Sequence, residues 1–131
     1  MAVRMGADLF CVQRMEQAWR RGDPCYFSRV FSPRENEAGR AAEHPALWFA
    51  QRLALKEAAF KSLGVPWSEE MEWNQIEALS TGFGAPVITL SGAMARAAER
   101  EGILRFSASV SSDGGFVVAV VAAEGPLEQE R

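Results

Sequence analysis

Histidine, cysteine and lysine are scarce in this sequence, with one, two and two residues among 131. Each scarcity excludes some chemistry. Cys11 and Cys25 are too few for a disulfide framework and lack metal-ligand spacing, so both are expected to be free thiols, with Cys11 in the core. His44 has no second histidine or partnering cysteine to make a zinc site or a triad, and its place before Pro45 fits a helix entrance or the surface. No apolar run nears the roughly 20 residues that a bilayer requires, so no membrane span is expected. The opening MAVRMGADLF turns to glycine and aspartate too early for a signal peptide, and the expected compartment is the cytoplasm. A net charge of −3 gives no global attraction for nucleic acid, so no nucleic-acid partner is expected. Any basic face must be local, and six arginines lie between Arg14 and Arg40.

What is present describes one globular domain. With 48% hydrophobic and 24% charged residues, the chain can bury a real core but is short for two of them. One domain is expected over 1–124, followed by a short tail over 125–131. Val3, Met5, Ala7 and Leu9 alternate with Arg4, Gly6, Asp8 and Phe10, a period-2 pattern that predicts a first strand with Asp8 opposite the aliphatic set. A helix follows from Cys11 to Arg21, stopped by Gly22-Asp23-Pro24. Ser32-Pro33-Arg34-Glu35 combines a capping serine, a proline at the first helical position and a glutamate three residues on, which starts a short helix to Gly39. Pro45 opens the longest helical pattern, ended at Gly64. Strands are expected over 71–79 and 86–90, a helix over 91–101, and a terminal hairpin of Arg105 to Ser111 and FVVAVVAAE around Ser112-Asp113-Gly114-Gly115. This order predicts an α+β fold with helices packed on a largely antiparallel sheet.

Both lysines, Lys56 and Lys61, lie in the central helix and bracket Glu57, although arginine fills every other basic position. At 100° per residue, Glu57 falls about 40° from Leu53 and beside Ala50, Ala54 and Ala58, on the border of the apolar face. Lys61 is one turn further on the same side. Lys56 occupies an arc where a purely structural helix would place an apolar residue, which demands a partner. Glu57 and Lys61 also fit an ordinary i,i+4 surface pair worth about 0.2 to 0.5 kcal/mol. Against that stand the apolar circumference of the helix and a second carboxylate, Asp8, two residues after a glycine that permits close backbone approach. If the first strand packs beside the helix, two hard oxygen ligands converge, a donor set that suits Mg²⁺ with phosphate oxygens in its open positions.

On these residues the chain resembles the holo-acyl-carrier-protein synthases, the small type of 4′-phosphopantetheinyl transferase. Gly6-Ala7-Asp8-Leu9 through Arg14 is similar to the family's opening Gly-x-Asp motif. Phe27, Arg29, Phe31, Ser32 and Glu35 resemble Phe-x-x-Arg-x-Phe-Thr-x-x-Glu, and Arg52-Leu53-Ala54-Leu55-Lys56-Glu57-Ala58 with Lys61, Leu63 and Gly64 resembles Arg-Phe-Ala-Ala-Lys-Glu-Ala-x-x-Lys-x-Leu-Gly. Gly84-Ala85-Pro86, Leu90-Ser91-Gly92 and Ser109-Val110-Ser111-Ser112 follow in the family's order, so the resemblance covers nearly the whole chain.

The resemblance implies Mg²⁺-assisted transfer of 4′-phosphopantetheine from coenzyme A to a serine of an apo acyl carrier protein, releasing adenosine 3′,5′-bisphosphate. It assigns Asp8 and Glu57 to the metal and Lys61 to phosphate, with Glu57 and Lys61 the catalytic pair. Arg52, Lys56 and Ser112 become coenzyme A contacts, the first two alternatively supports for the carboxylates. Arg14, Arg20 and Arg21 become the docking face for an acidic carrier protein, and a homotrimer with sites between subunits is implied. Two departures stand out: Ser112 replaces a histidine of the family, and Val65-Pro66-Trp67-Ser68-Glu69-Glu70 replaces a glycine-rich loop. Those departures would also fit a relative that binds coenzyme A or carrier protein without transfer. A third reading makes the charged pairs merely stabilising.

Overall fold

The computed structural model describes residues 1–127. Strand β1 (Ala2–Cys11) leads into α1 (Val12–Arg21), α2 (Pro24–Val30), α3 (Pro33–Arg40) and the long α4 (Pro45–Leu63). A 3₁₀ turn (Trp73–Gln75) precedes β2 (Ile76–Ser80) and β3 (Pro86–Leu90), then come α5 (Gly92–Arg100), β4 (Arg105–Asp113) and β5 (Phe116–Gly125). One sheet has the order β1-β5-β4 and the other pairs β2 with β3, every pairing antiparallel. The expected α+β architecture on an antiparallel sheet is therefore what the chain forms.

Local chemistry explains the differences at the edges. Helix α2 was read in sequence only as a stop, yet Asp23 caps it, accepting from the Cys25 backbone N–H at 3.0 Å, and Pro24 supplies the first-turn φ. The cap of α3 is the expected reciprocal box: Ser32 Oγ accepts from Glu35 N at 3.1 Å, and Glu35 Oε1 accepts from Ser32 N at 2.8 Å. His44 stands at the N-cap position of α4 without a side-chain cap bond and is exposed. Cys11 and Cys25 are free thiols, Cys11 half-buried instead of fully in the core and Cys25 exposed. Of the expected tail, Gly125 ends β5 and Leu127 is buried, while 128–131 lie outside the described residues.

Helix α4 runs through the middle, with Phe49, Ala50, Ala54, Leu55, Ala58, Ala59 and Leu63 fully buried. Phe49 closes on Phe31 at 4.7 Å and on Phe27 at 5.0 Å between ring centroids, joining α2 and its C-cap to α4 in one aromatic cluster. Each such ring contributes about 1.5 to 3 kcal/mol by burial. The antiparallel register aligns Gly6 with Val121, Asp8 with Ala119 and Phe10 with Val117, so these residues share the sheet face that meets α4. A β-carbon at Gly6 would overlap the Ala58 carbonyl oxygen and approach Ser62 N at 2.8 Å, so only glycine lets β1 lie this close to the helix. The opposite face carries the aliphatic set: Val3, Met5 and Leu9 are exposed, together with Phe116, Val118 and Val120 of β5. In β1 it is thus the polar-looking alternate residues that pack inward.

Candidate active site

The Gly6 contact brings Asp8 to α4. Lys61 Nζ lies 3.2 Å from Asp8 Oδ1 and donates to the Ala7 carbonyl oxygen at 3.0 Å. Glu57 lies one turn before Lys61 on the same helix. Burial, and after it the neighbouring Asp8 carboxylate, push the Glu57 carboxyl up to about 7, with Lys61 and Arg14 pulling the other way. Asp8 Oδ2 is buried and has no hydrogen-bond partner among the described residues. Two carboxyls held together, with a buried oxygen left over, form an arrangement that a cation or a shared proton relieves. Among the described residues no three His, Cys, Asp or Glu side chains gather around one point, so a metal held here keeps positions for other ligands.

Glu57 also opens on a cleft of about 420 Å³ between α1, α2 and α4, whose walls include Arg14, Arg21, Tyr26, Arg29 and Trp73. Three guanidinium groups beside one carboxyl make it cationic and suited to an acidic partner. Arg14 and Arg21 share this cleft. Arg20 lines a different cleft of about 560 Å³ on the other flank of α1, with His44, Ser112 and three acidic residues, Glu16, Glu43 and Asp113. The helical period explains the split, since Arg14 and Arg21 are two turns apart on one face and Arg20 lies about 100° away. Tyr26 and Arg29 went unassigned in sequence because α2 was not seen there. The Asp23-Pro24 start signal was available to find it.

The remaining candidates lie elsewhere. Lys56 is fully buried, 2.6 Å from Glu35 Oε1, and donates to the carbonyls of Trp73, at 3.2 Å, and Ile76. Glu35 in turn accepts from Ala78 N at 2.7 Å. The ammonium is enclosed in a clamp between α3, α4 and β2. Burial pushes Glu35 up and Lys56 down, and each offsets the other's shift. Arg52 stacks over Trp48 at 4.5 Å and donates to Ser80 Oγ at 2.9 Å, while its Nε has no hydrogen-bond partner among the described residues. Ser112 accepts from Gln51 Nε2 at 3.0 Å. Within one chain, neither contacts Asp8 or Glu57.

The substituted loop after Gly64 is held by aromatic packing. Trp67 and Trp73 are 4.9 Å apart between centroids, and Phe60 is 5.3 Å from Trp67. The indole of Trp73 thus links this loop to the wall of the Glu57 cleft.

Known proteins fit this arrangement along its whole length. Residues 4–121 match the model of the 4′-phosphopantetheinyl transferase superfamily. The chain is 37% identical over 131 residues to the holo-[acyl-carrier-protein] synthase of Desulforudis audaxviator, covering 100% of this chain and 99% of the relative. The crystal structure of the Neisseria meningitidis synthase superposes with a TM-score of 0.82 at 26% identity, over 92% of this chain and 97% of that one. The Helicobacter pylori synthase in complex with coenzyme A gives a TM-score of 0.77 at 31% identity, over 92% and 99%. Sequence, fold and coverage agree, and the chain belongs to the 4′-phosphopantetheinyl transferase superfamily, as an enzyme of its holo-acyl-carrier-protein synthase branch.

Proposed function

We propose that this enzyme transfers 4′-phosphopantetheine from coenzyme A to a serine hydroxyl of an apo acyl carrier protein in the cytoplasm, releasing adenosine 3′,5′-bisphosphate. The observation that carries the reading is the meeting of Asp8, Glu57 and Lys61 at the edge of an arginine-walled cleft. The relatives' names supply the carrier protein as acceptor, and the Helicobacter pylori complex supports coenzyme A as donor.

In the transfer a bond forms between the serine oxygen and the phosphorus next to pantetheine, and that phosphorus separates from the oxygen it shares with the nucleotide. The residues present fit a divalent cation. Asp8 and Glu57 are hard oxygen donors, and Asp8 Oδ2 is buried without a hydrogen-bond partner among the described residues. Bound there, Mg²⁺ would supply positive charge to the diphosphate and the leaving nucleotide. Lys61 reaches the same point from a half-exposed position, its side chain 55% exposed against 11% for Asp8, so its ammonium can turn to a phosphate oxygen without leaving the site. Arg14 and Arg21 hold the acidic carrier protein over Glu57.

A homotrimer belongs to the same reading. The outer face of the β1-β5-β4 sheet exposes Val3, Met5, Leu9, Val118 and Val120, an apolar surface that a second copy would cover. Ser112, exposed and bonded to Gln51 in its own chain, would then act on coenzyme A at a neighbour's site. Incubation with coenzyme A, Mg²⁺ and an apo carrier protein tests the reaction, with the phosphopantetheine mass gain on the carrier as the expected result. Coenzyme A binding without mass gain on any of several carriers would instead mark a relative that binds and does not transfer.

A further inference from the structure

Tyr26, the only tyrosine in the chain, sits in the wall of the Glu57 cleft with no role in the chemistry described so far. It lies in the first turn of α2, and its ring packs edge-on against Phe27, with centroids 5.2 Å apart at 87°. Phe27 is itself in the core at 2% exposure, so the ring is held from below, and the charges of Glu57, Arg14 and Arg21 around the cleft act on the phenol. The arginines around it can only donate hydrogen bonds. Of the other neutral hydrogen-bonding side chains of the lining, the Trp73 indole can only donate and Gln17 is exposed. Tyr26 is therefore the half-buried group of this cleft that can both donate and accept.

An acceptor serine has to enter this cleft from a protein segment, and the peptide groups on either side of it lose water as they do so. Polar groups desolvated in this way need partners. We propose that Tyr26 determines acceptor recognition: its hydroxyl hydrogen-bonds the backbone of the carrier-protein segment that bears the target serine, setting that serine's approach to Glu57. The inference rests on the transferase reading above and adds to it a residue outside the metal and phosphate contacts. The electrostatics of the cleft agree, since burial and the nearby Glu57 push the phenol up, outweighing Arg14 and Arg21, and keep it protonated as a neutral donor at neutral pH.

Tyr26→Phe removes the hydroxyl and keeps the ring against Phe27. Steady-state transfer is measured with coenzyme A and an apo carrier protein varied in turn, and thermal midpoints confirm that both forms are folded. The expected result is a fall of about tenfold in kcat/KM for the carrier protein with KM for coenzyme A unchanged. Equal kcat/KM in the two forms would overturn the inference and leave the transferase reading intact, as would a parallel loss in coenzyme A affinity, which would place the hydroxyl on the donor side. If the unmodified protein transfers nothing to any carrier, the transferase reading itself fails, and this inference with it.

Discussion

Lys61 and Asp8 face each other across the seam between α4 and β1, Nζ to Oδ1 at 3.2 Å, and the same aspartate helps push the Glu57 carboxyl up. The one ammonium beside these two carboxyls is paired with Asp8, and Asp8 Oδ2 has no hydrogen-bond partner among the described residues. Such a cluster has more negative charge than its own cation offsets, which is the state a divalent ion corrects. Asp8→Asn and Glu57→Gln are each expected to lower transfer by about a hundredfold or more and to raise the Mg²⁺ concentration needed for half-maximal rate. Lys61→Ala is expected to raise KM for coenzyme A with less effect on that Mg²⁺ requirement. Titrating Mg²⁺ at fixed coenzyme A separates them, and a Glu57→Gln enzyme with normal Mg²⁺ response would refute the carboxylate assignment.

The displaced Glu57 carboxyl also makes stability depend on pH in a known direction. Its folded value, about 7, lies above that of an unfolded glutamate, so between roughly pH 4.5 and 7 the folded chain holds a proton that the unfolded chain has lost. Stability from this group is present below that window and declines as pH rises through it. In the absence of metal, the thermal midpoint should fall between pH 5.5 and 7.5, and Glu57→Gln should flatten that slope. A variant that keeps the slope would assign it to another group. Mg²⁺ should act in the opposite sense, stabilising more at pH 8 than at pH 6, because it competes with that proton.

Lys56 and Glu35 answer to different physics. Both are fully buried and 2.6 Å apart, and Glu35 also accepts from the Ser32 and Ala78 backbone. Removing only the cation leaves a buried carboxylate without compensation, so Lys56→Met is expected to cost about 3 to 5 kcal/mol. Adding Glu35→Gln removes the orphaned charge and keeps a side chain that can accept one backbone bond, and the double variant should recover a large part of the loss. Chemical denaturation of the single and double variants reads the coupling directly. Simple additivity would mean the two groups do not act as a pair.

The two lysines show what sequence can and cannot assign. Helical spacing correctly put Lys56 in an apolar arc that demands a partner, but its partner, Glu35, is 21 residues away and reached only by the packing of α3 on α4. Likewise the alternation in β1 was legible, whereas which face it buries was not, because Gly6 and the alanines of α4 and β5 decide that jointly. Asp8 meeting Glu57 followed from glycine's small size, read in advance from one residue. Helix α2 was missed since only seven residues and one cap announce it, and Tyr26 was missed along with it.

The exposed aliphatic face gives the last test. Leu9 is 68% exposed, Met5 60% and Val3 54%, on a sheet whose other face is packed against α4, and strands this apolar are rarely left to water. If a neighbouring copy covers them, a charge in the middle of the face should separate the subunits. Val120, paired with Ala7 and Ser109 in the central strand, is the place to put it. Val120→Asp is expected to change the mass seen by light scattering from three chains to one. Its outward side chain spares the α4 side of the sheet, so the monomer should remain folded by circular dichroism. Transfer should then fall even though Asp8, Glu57 and Lys61 are untouched, because Ser112 of an adjacent chain would no longer face them. A Val120→Asp monomer with full activity would show that one chain holds a complete site, and an unmodified protein of single-chain mass would remove the trimer altogether.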